Sequence, residues 1–152
     1  PDPDVAAELG LEPDSFVVDI VRIRLADGMP ISLEHVRFPA ERFPGLLERP
    51  LSGSLYELLE QEYGVGAHEA LERIEVVSAS DDEARVLGVR PGDPLISIHR
   101  TTTDTSGAAF EYSHDLFRAD RTRITVRTHG SPASSGAPPL RGRVVELRGE
   151  PA

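Results

Sequence analysis

The sequence predicts an α+β domain with a mainly antiparallel sheet, built from an internal duplication. Residues 4–24 resemble residues 82–102 at an offset of 78 positions, and residues 28–42 resemble residues 107–121 at an offset of 79. A repeated unit of this length is a supersecondary module, and two copies can bury their apolar sheet faces against one another. The seam between the copies is a natural position for a ligand.

Each copy is predicted to begin with a short helix. In the second copy, Ser80 and Glu83 form a capping box, and Gly88 stands where a helix ends in the left-handed conformation. In the first copy, Asp2 takes the N-cap position and Gly10 takes the terminal position. The same helix is therefore expected at the start of both copies.

Two strands follow the helix in the first copy. Residues 16–25 and 30–38 are rich in apolar and β-branched side chains, and they flank Asp27-Gly28, a dipeptide typical of tight hairpins. The second copy repeats this pattern over residues 95–103 and 109–117. We therefore expect two similar antiparallel hairpins.

The repeat also predicts where the domain begins. Residues 71–78, ahead of the second helix, have the composition of a strand. The first copy should have an equivalent strand, which would lie upstream of residue 1. Between the copies, Ser54 and Glu57 form a second capping box that opens a helix.

The end of the chain differs in composition. A further strand is expected over residues 123–128, whereas residues 131–139 are rich in Ser, Pro, Ala and Gly and are typical of a linker. Residues 140–152 either add a short strand or are disordered. We therefore expect one domain over residues 1–130 and a linker-like tail over residues 131–152.

Composition excludes several classes of protein. The chain of 152 residues has a net charge of −10, which argues against direct binding of nucleic acid. It contains no Cys, so a disulfide framework or a thiolate metal site is impossible, which fits a cytoplasmic protein. No apolar run is long enough to span a bilayer, and no secretory signal is visible.

Strand alternation gives the first candidate site. Arg22 and Arg24 share one face of their strand with Val18 and Ile20, and Arg100 occupies the position equivalent to Arg22. An Arg on a face directed at the core is costly unless it finds an anion. The anion is either a bound phosphate or carboxylate, or an Asp or Glu of the protein; an Arg at the sheet rim is the third alternative.

Three other side chains could join this site. Ser54 is explained by its N-cap role alone, but a helix N-terminus can also bind an anion. Glu34 and Glu111 lie on the returning strands, where they either contact a ligand or are exposed; as a pair, they could in principle act as acid and base in hydrolysis. His35 and His114 are related by the repeat, but two His do not make a metal site.

No motif indicates catalysis. The sequence contains no Gly-rich phosphate loop, no Ser-His-Asp pattern and no Cys nucleophile. We therefore expect no catalytic residues, no metal and no cofactor.

Three runs resemble a known family: VVDIVRIRLADGMPISLEHVRFPAERFPGL, SLYELLEQEYGV, and the segment from ASDDEARVLGV to RADRTRITVR. Together they resemble, over about residues 1–128, the UTRA effector-binding domain of GntR-type transcriptional regulators of the HutC subfamily. The resemblance implies a chorismate-lyase-like fold without lyase activity, a small anionic effector (a sugar phosphate or an organic acid), and a cytoplasmic homodimer. It also implies an N-terminal winged helix-turn-helix, absent from this chain, that binds operator DNA. A small enzyme of the same fold acting on a carboxylated substrate is the alternative.

The resemblance also implies roles for particular residues. Arg22 and Arg24 of the RIR run correspond to the clamp for a phosphate or carboxylate, and Ser54 and Tyr56 of the SLY run line the same end. Glu34 and Glu111 correspond to positions that hold the polar body of the effector. Phe117 stands where many members have Tyr, and this departure argues against an amino-sugar phosphate but leaves the anion clamp intact.

Overall fold

The computed structural model describes residues 1–127 and 144–149. Its three α-helices are α1 (Pro3–Leu9), α2 (Leu55–Tyr63) and α3 (Asp81–Leu87). Each begins at a side-chain cap and ends at a glycine in the left-handed conformation. The capping box at Ser80 and Glu83 is confirmed, with both reciprocal bonds formed. At α2 only half of the expected box is present, since Ser54 accepts from the Glu57 amide and no return bond is formed.

Five antiparallel strands form the main sheet, in the order β1-β2-β5-β4-β3. Their bounds are β1 Val17–Ala26, β2 Met29–Pro39, β3 Glu69–Ser78, β4 Pro94–Thr103 and β5 Ala109–Arg118. A separate pair consists of β6 (Thr122–Arg127) and β7 (Val144–Gly149). The predicted strands are confirmed, with ends shifted by one or two residues. The predicted linker over residues 131–139 lies outside the described residues.

The duplication is visible as a pseudo-twofold relation. Helix α1 with β1 and β2 repeats as α3 with β4 and β5, and both hairpins have equivalent registers. The two copies meet at β2 and β5, where His35 lies directly opposite its own repeat partner, His114. The two copies therefore join edge to edge within one sheet, and its centre is the seam between them. The expectation that they bury their apolar faces against one another was wrong, because backbone pairing of β2 with β5 makes the two faces continuous.

The hairpin between β1 and β2 shows why Asp27-Gly28 stands there. Asp27 has φ 50° and Gly28 has φ 76°, so both central residues of the turn have positive φ. This geometry belongs to tight turns whose twist matches that of the strands. Within the described ranges, no strand pairs with the outer edge of β1, and the strand expected upstream of residue 1 stays a prediction.

The larger apolar core lies between α2 and the first hairpin. Leu55 and Leu59 of α2 pack with Val36 and Phe38 of β2, and Phe43 from the connecting segment joins them. A smaller cluster joins α3 to the sheet through Leu87 and its neighbours. Helix α2 thus covers one face of the sheet near β1 and β2, and this is the face that carries the candidate site.

Candidate functional site

Alternate residues of the five strands share the sheet face on which α2 packs, here called the inner face. Cross-strand pairing places Arg22 beside Glu34, and Glu34 beside Asp115. The inner face is unusual because many of its side chains near the seam are polar or charged rather than apolar. These are Arg22, Arg24, Ser32, Glu34, Glu72, Arg100, Thr102, Glu111, Ser113 and Asp115.

Arg22 is held by partners within the protein. Its Nε and Nη2 donate to Glu34 Oε2 at 3.1 and 2.7 Å, and its Nη1 donates to the carbonyls of Leu51 and Gly53 at 3.1 and 3.0 Å. Of the alternatives left open by the sequence, a pairing with a carboxylate of the protein is therefore the one observed for Arg22. The same contacts fix the segment that leads into α2.

Arg24 is less constrained than Arg22. Its side chain is 55% exposed, and its Nε lies 3.7 Å from Glu34 Oε1. It lies two residues beyond Arg22 along β1, on the same face, directly opposite Ser32. Because its ion pair is long and exposed, Arg24 can exchange Glu34 for an external anion at little cost.

Ser54 directly follows Gly53, a residue that Arg22 binds. Its hydroxyl caps α2 by accepting from the Glu57 amide at 3.3 Å, and the preceding residue, Gly53, accepts from Arg22. The N-terminus of α2, with its unbonded amides and positive dipole end, is thereby held close to the inner face.

Tyr56 and Glu111 are brought together from distant parts of the chain. The Tyr56 hydroxyl donates a short hydrogen bond to Glu111 Oε2, and Thr102 Oγ1 donates to the same oxygen at 2.6 Å. Burial of the hydroxyl, together with the Glu111 charge, raises the pKa of Tyr56. Tyr56 is therefore a neutral donor that fixes the position of Glu111.

Substituting Tyr56 with phenylalanine should lower the free energy of unfolding by about 1 kcal/mol, because Glu111 loses one of its two side-chain donors in a buried setting. Urea denaturation measures this loss. Tyr63→Phe is the matched control, since the Tyr63 hydroxyl donates to the Pro44 carbonyl at an exposed position. An equal or larger loss in the control would contradict the importance of the Tyr56 contact.

Phe117 lies on the inner face of β5. It is 7% exposed and stands directly opposite Ser32. Its ring adds an apolar surface to a region where Ser32 and Asp115 supply polar atoms.

Sequence reasoning did not single out Asp115, Ser32 or Glu72. Arg100 was recognised as the equivalent of Arg22, but its partner Glu72, whose Oε1 lies 2.6 Å from Arg100 Nε, was not. Asp115 alternates with Glu111, Ser113 and Phe117 along β5, so strand period alone could have identified it. Burial is the largest influence on this carboxyl and raises its pKa to about 7.

The opposite face of the sheet carries a row of histidines. His35, His114 and His99 are cross-strand neighbours on β2, β5 and β4, and the rings of His99 and His114 stack at 4.0 Å. Within the residues that the structure describes, no group of acidic or histidine side chains has an arrangement that could hold a metal ion. In the same residues, no helix is long and apolar enough to cross a membrane.

Comparison with known proteins identifies the family. The profile of the UTRA domain matches residues 1–123. This chain belongs to the UTRA domain family. Among curated proteins, it is 33% identical over 118 residues to the HTH-type transcriptional repressor NagR of Bacillus subtilis (strain 168), covering 78% of this chain and 49% of NagR. The UTRA chain thus spans about half the length of such relatives.

Solved structures confirm the fold. The effector domain of PhnF from Mycobacterium smegmatis superimposes with a TM-score of 0.81 at 28% identity, covering 86% of the UTRA chain and 80% of that domain. A GntR-family transcriptional regulator from Enterococcus faecalis V583 gives a TM-score of 0.77 at 26% identity, covering 84% and 91%. The UTRA chain therefore has the α+β fold of the ligand-binding domains of GntR-family regulators.

Proposed function

We propose that this UTRA chain senses a small anionic effector, either a sugar phosphate or an organic acid, for a GntR-type regulator of the HutC subfamily. In this proposal, a winged helix-turn-helix outside the chain binds operator DNA, and the effector shifts a cytoplasmic homodimer between arrangements that bind the operator and arrangements that do not. The observation that carries the proposal is Arg24, an exposed and weakly paired cation on the inner face, two residues along β1 from Arg22, which binds the segment that leads into α2.

The surrounding contacts support an anion at this position. The charge of Arg22 is already neutralised by Glu34. Arg22 therefore positions the segment that leads into α2, and it does not offer a free charge to a ligand. Arg24 supplies the charge, and the Ser54 hydroxyl with the α2 amides supplies further donors. A phosphate or carboxylate suits such a set because Arg binds both in a bidentate manner.

Thermal denaturation with a panel of sugar phosphates and organic acids tests the proposal. A saturating ligand that binds the folded state should raise the melting temperature, and Arg24→Ala should abolish this rise while leaving the unliganded domain folded. Arg73→Ala is the matched control, since the Arg73 side chain is also 55% exposed and pairs with Glu8 on the other face. Equal stabilisation of wild type and Arg24→Ala would remove Arg24 from the site.

No specific observation favours the alternative of a small enzyme acting on a carboxylated substrate. The carboxyl groups of Glu34 and Glu111 are engaged by Arg22 and by Tyr56 with Thr102, respectively. Incubation of each stabilising compound with the domain, followed by analysis for products, would reveal turnover if it occurred.

A further inference from the structure

Two buried polar atoms on the inner face have no hydrogen-bond partner. Among the side chains of the described residues, these atoms are Ser32 Oγ and Asp115 Oδ1. Ser32 is 1% exposed and Asp115 is 5% exposed, so water does not compensate readily for the missing bonds. Buried polar atoms are almost always bonded in native proteins, and an exception calls for a specific reason.

The fold itself does not require a carboxyl group at position 115. By the repeat, Asp115 is equivalent to Val36, which belongs to the larger apolar core. The first hairpin therefore places an aliphatic side chain where the second places an acid. Since a carboxyl group is the costlier choice at a buried position, its presence indicates a role outside folding.

Among the charged groups of this face, Asp115 and Arg24 have the weakest internal partners. Glu34 pairs with Arg22, Glu72 pairs with Arg100, and Glu111 accepts from Tyr56 and Thr102. Asp115 receives a single long bond, from Ser113 Oγ at 3.4 Å. An acid with weak internal partners and the loosely paired Arg24 thus remain on the same face.

The register places these groups within reach of one small molecule. Arg24, Ser32 and Phe117 lie in one row across β1, β2 and β5. Asp115 lies in the adjacent row, two residues along β5 from Phe117. Two strand spacings, about 10 Å, separate β1 from β5. The surface between the cationic and the acidic side chain includes the ring of Phe117.

We propose that Asp115 Oδ1 and Ser32 Oγ form a second subsite, which accepts hydrogen bonds from a protonated amine of the effector. The anionic end of the same molecule binds at Arg24, and a short aliphatic middle contacts Phe117. This inference rests on the proposed function and narrows the effector to a zwitterion with separated charges. An ammonium group satisfies both unpartnered oxygens and supplies the positive charge that Asp115 lacks.

Matched ligands test the subsite. The probes are 4-aminobutyrate, 5-aminopentanoate and 6-aminohexanoate, the aminoalkyl phosphates of the same lengths, and the corresponding hydroxy compounds, with inorganic phosphate as the anion alone. Wild-type protein should bind at least one amino compound roughly 10-fold to 100-fold more tightly than its hydroxy counterpart, measured by calorimetry. Asp115→Asn should abolish this preference, and Ser32→Ala should reduce it.

The outcomes separate the two claims. Arg24→Ala should weaken the binding of the amino and hydroxy compounds by the same factor. Glu75→Gln, a change at an exposed position on the other face, should alter the affinity for neither. Binding that depends on Arg24 but shows no preference for the amine, or a preference retained in Asp115→Asn, overturns the subsite and leaves the proposed function standing. If the sugar phosphate and organic acid panel also gives no binding that depends on Arg24, the proposed function fails as well.

Discussion

Asp115→Asn should stabilise the protein at pH 8 by about 2–3 kcal/mol more than it does at pH 5. Burial raises the pKa of Asp115 to about 7, with the nearby charges of Glu34 and Glu111 acting in the same direction and Arg100 opposing them. The folded state therefore retains a proton that the unfolded chain releases from about pH 4 upward. The free energy of unfolding falls as the pH rises from about 4 to about 7, by about 1.4 kcal/mol for each pH unit. Asparagine does not ionise, so the variant does not show this decrease.

Urea denaturation of wild type and variant at pH 5, 6, 7 and 8 measures the effect. Asp14→Asn, in an exposed turn, controls for the chemical exchange itself. A difference between wild type and Asp115→Asn that stays constant across this range would show that Asp115 titrates alike in the folded and unfolded states. If the variant is more stable and has lost the preference for amines, then Asp115 lowers the stability of the wild-type protein and is needed for amine binding.

Phe43→Ala should lower the free energy of unfolding by about 3–5 kcal/mol, a large part of the stability of a typical domain. Phe43 is 1% exposed and makes edge-to-face contacts with Phe38, Phe110 and Tyr63 at centroid distances of 5.6, 6.3 and 5.3 Å. It joins the segment before α2 to the sheet. Truncation leaves a cavity that the surrounding rings fill only in part.

The chain offers a matched control for this substitution. Phe16 is 79% exposed, so Phe16→Ala should change the free energy of unfolding by less than about 0.5 kcal/mol. Both variants can be measured by the same urea titration with circular dichroism. Similar losses in the two variants would mean that the cluster around Phe43 is not the core that supports α2.

Much of the fold was predictable because its local signals agree with one another. Caps and terminal glycines located α1 and α3, and Asp27-Gly28 located a hairpin whose register follows from the turn. The repeat then indicated that the second half has the same plan. These features depend on residues close in sequence, so they can be predicted from the sequence before any tertiary contact is known.

The candidate site was less predictable because its partners are distant in sequence. Strand period placed Arg22 on a face directed at the core and left Glu34 either at a ligand or exposed. It could not show that the two residues pair with each other. The bond between Tyr56 and Glu111 joins α2 to β5, and no local pattern indicates it. Asp115 was overlooked because an acid in a strand is usually exposed, and burial depends on the whole fold. The roles of Arg24, Ser54 and Phe117 in effector binding stay predictions.

The meeting of two copies at the centre of the sheet has a consequence for folding kinetics. Each hairpin joins neighbouring segments, so it closes with a small loss of chain entropy. The seam instead pairs His35 with His114, residues that are 79 positions apart. Long-range closure of this kind slows folding, so assembly of the two preformed halves is expected to limit the rate. Substitutions along β2 and β5 should then alter the refolding rate more than those at the two sheet edges.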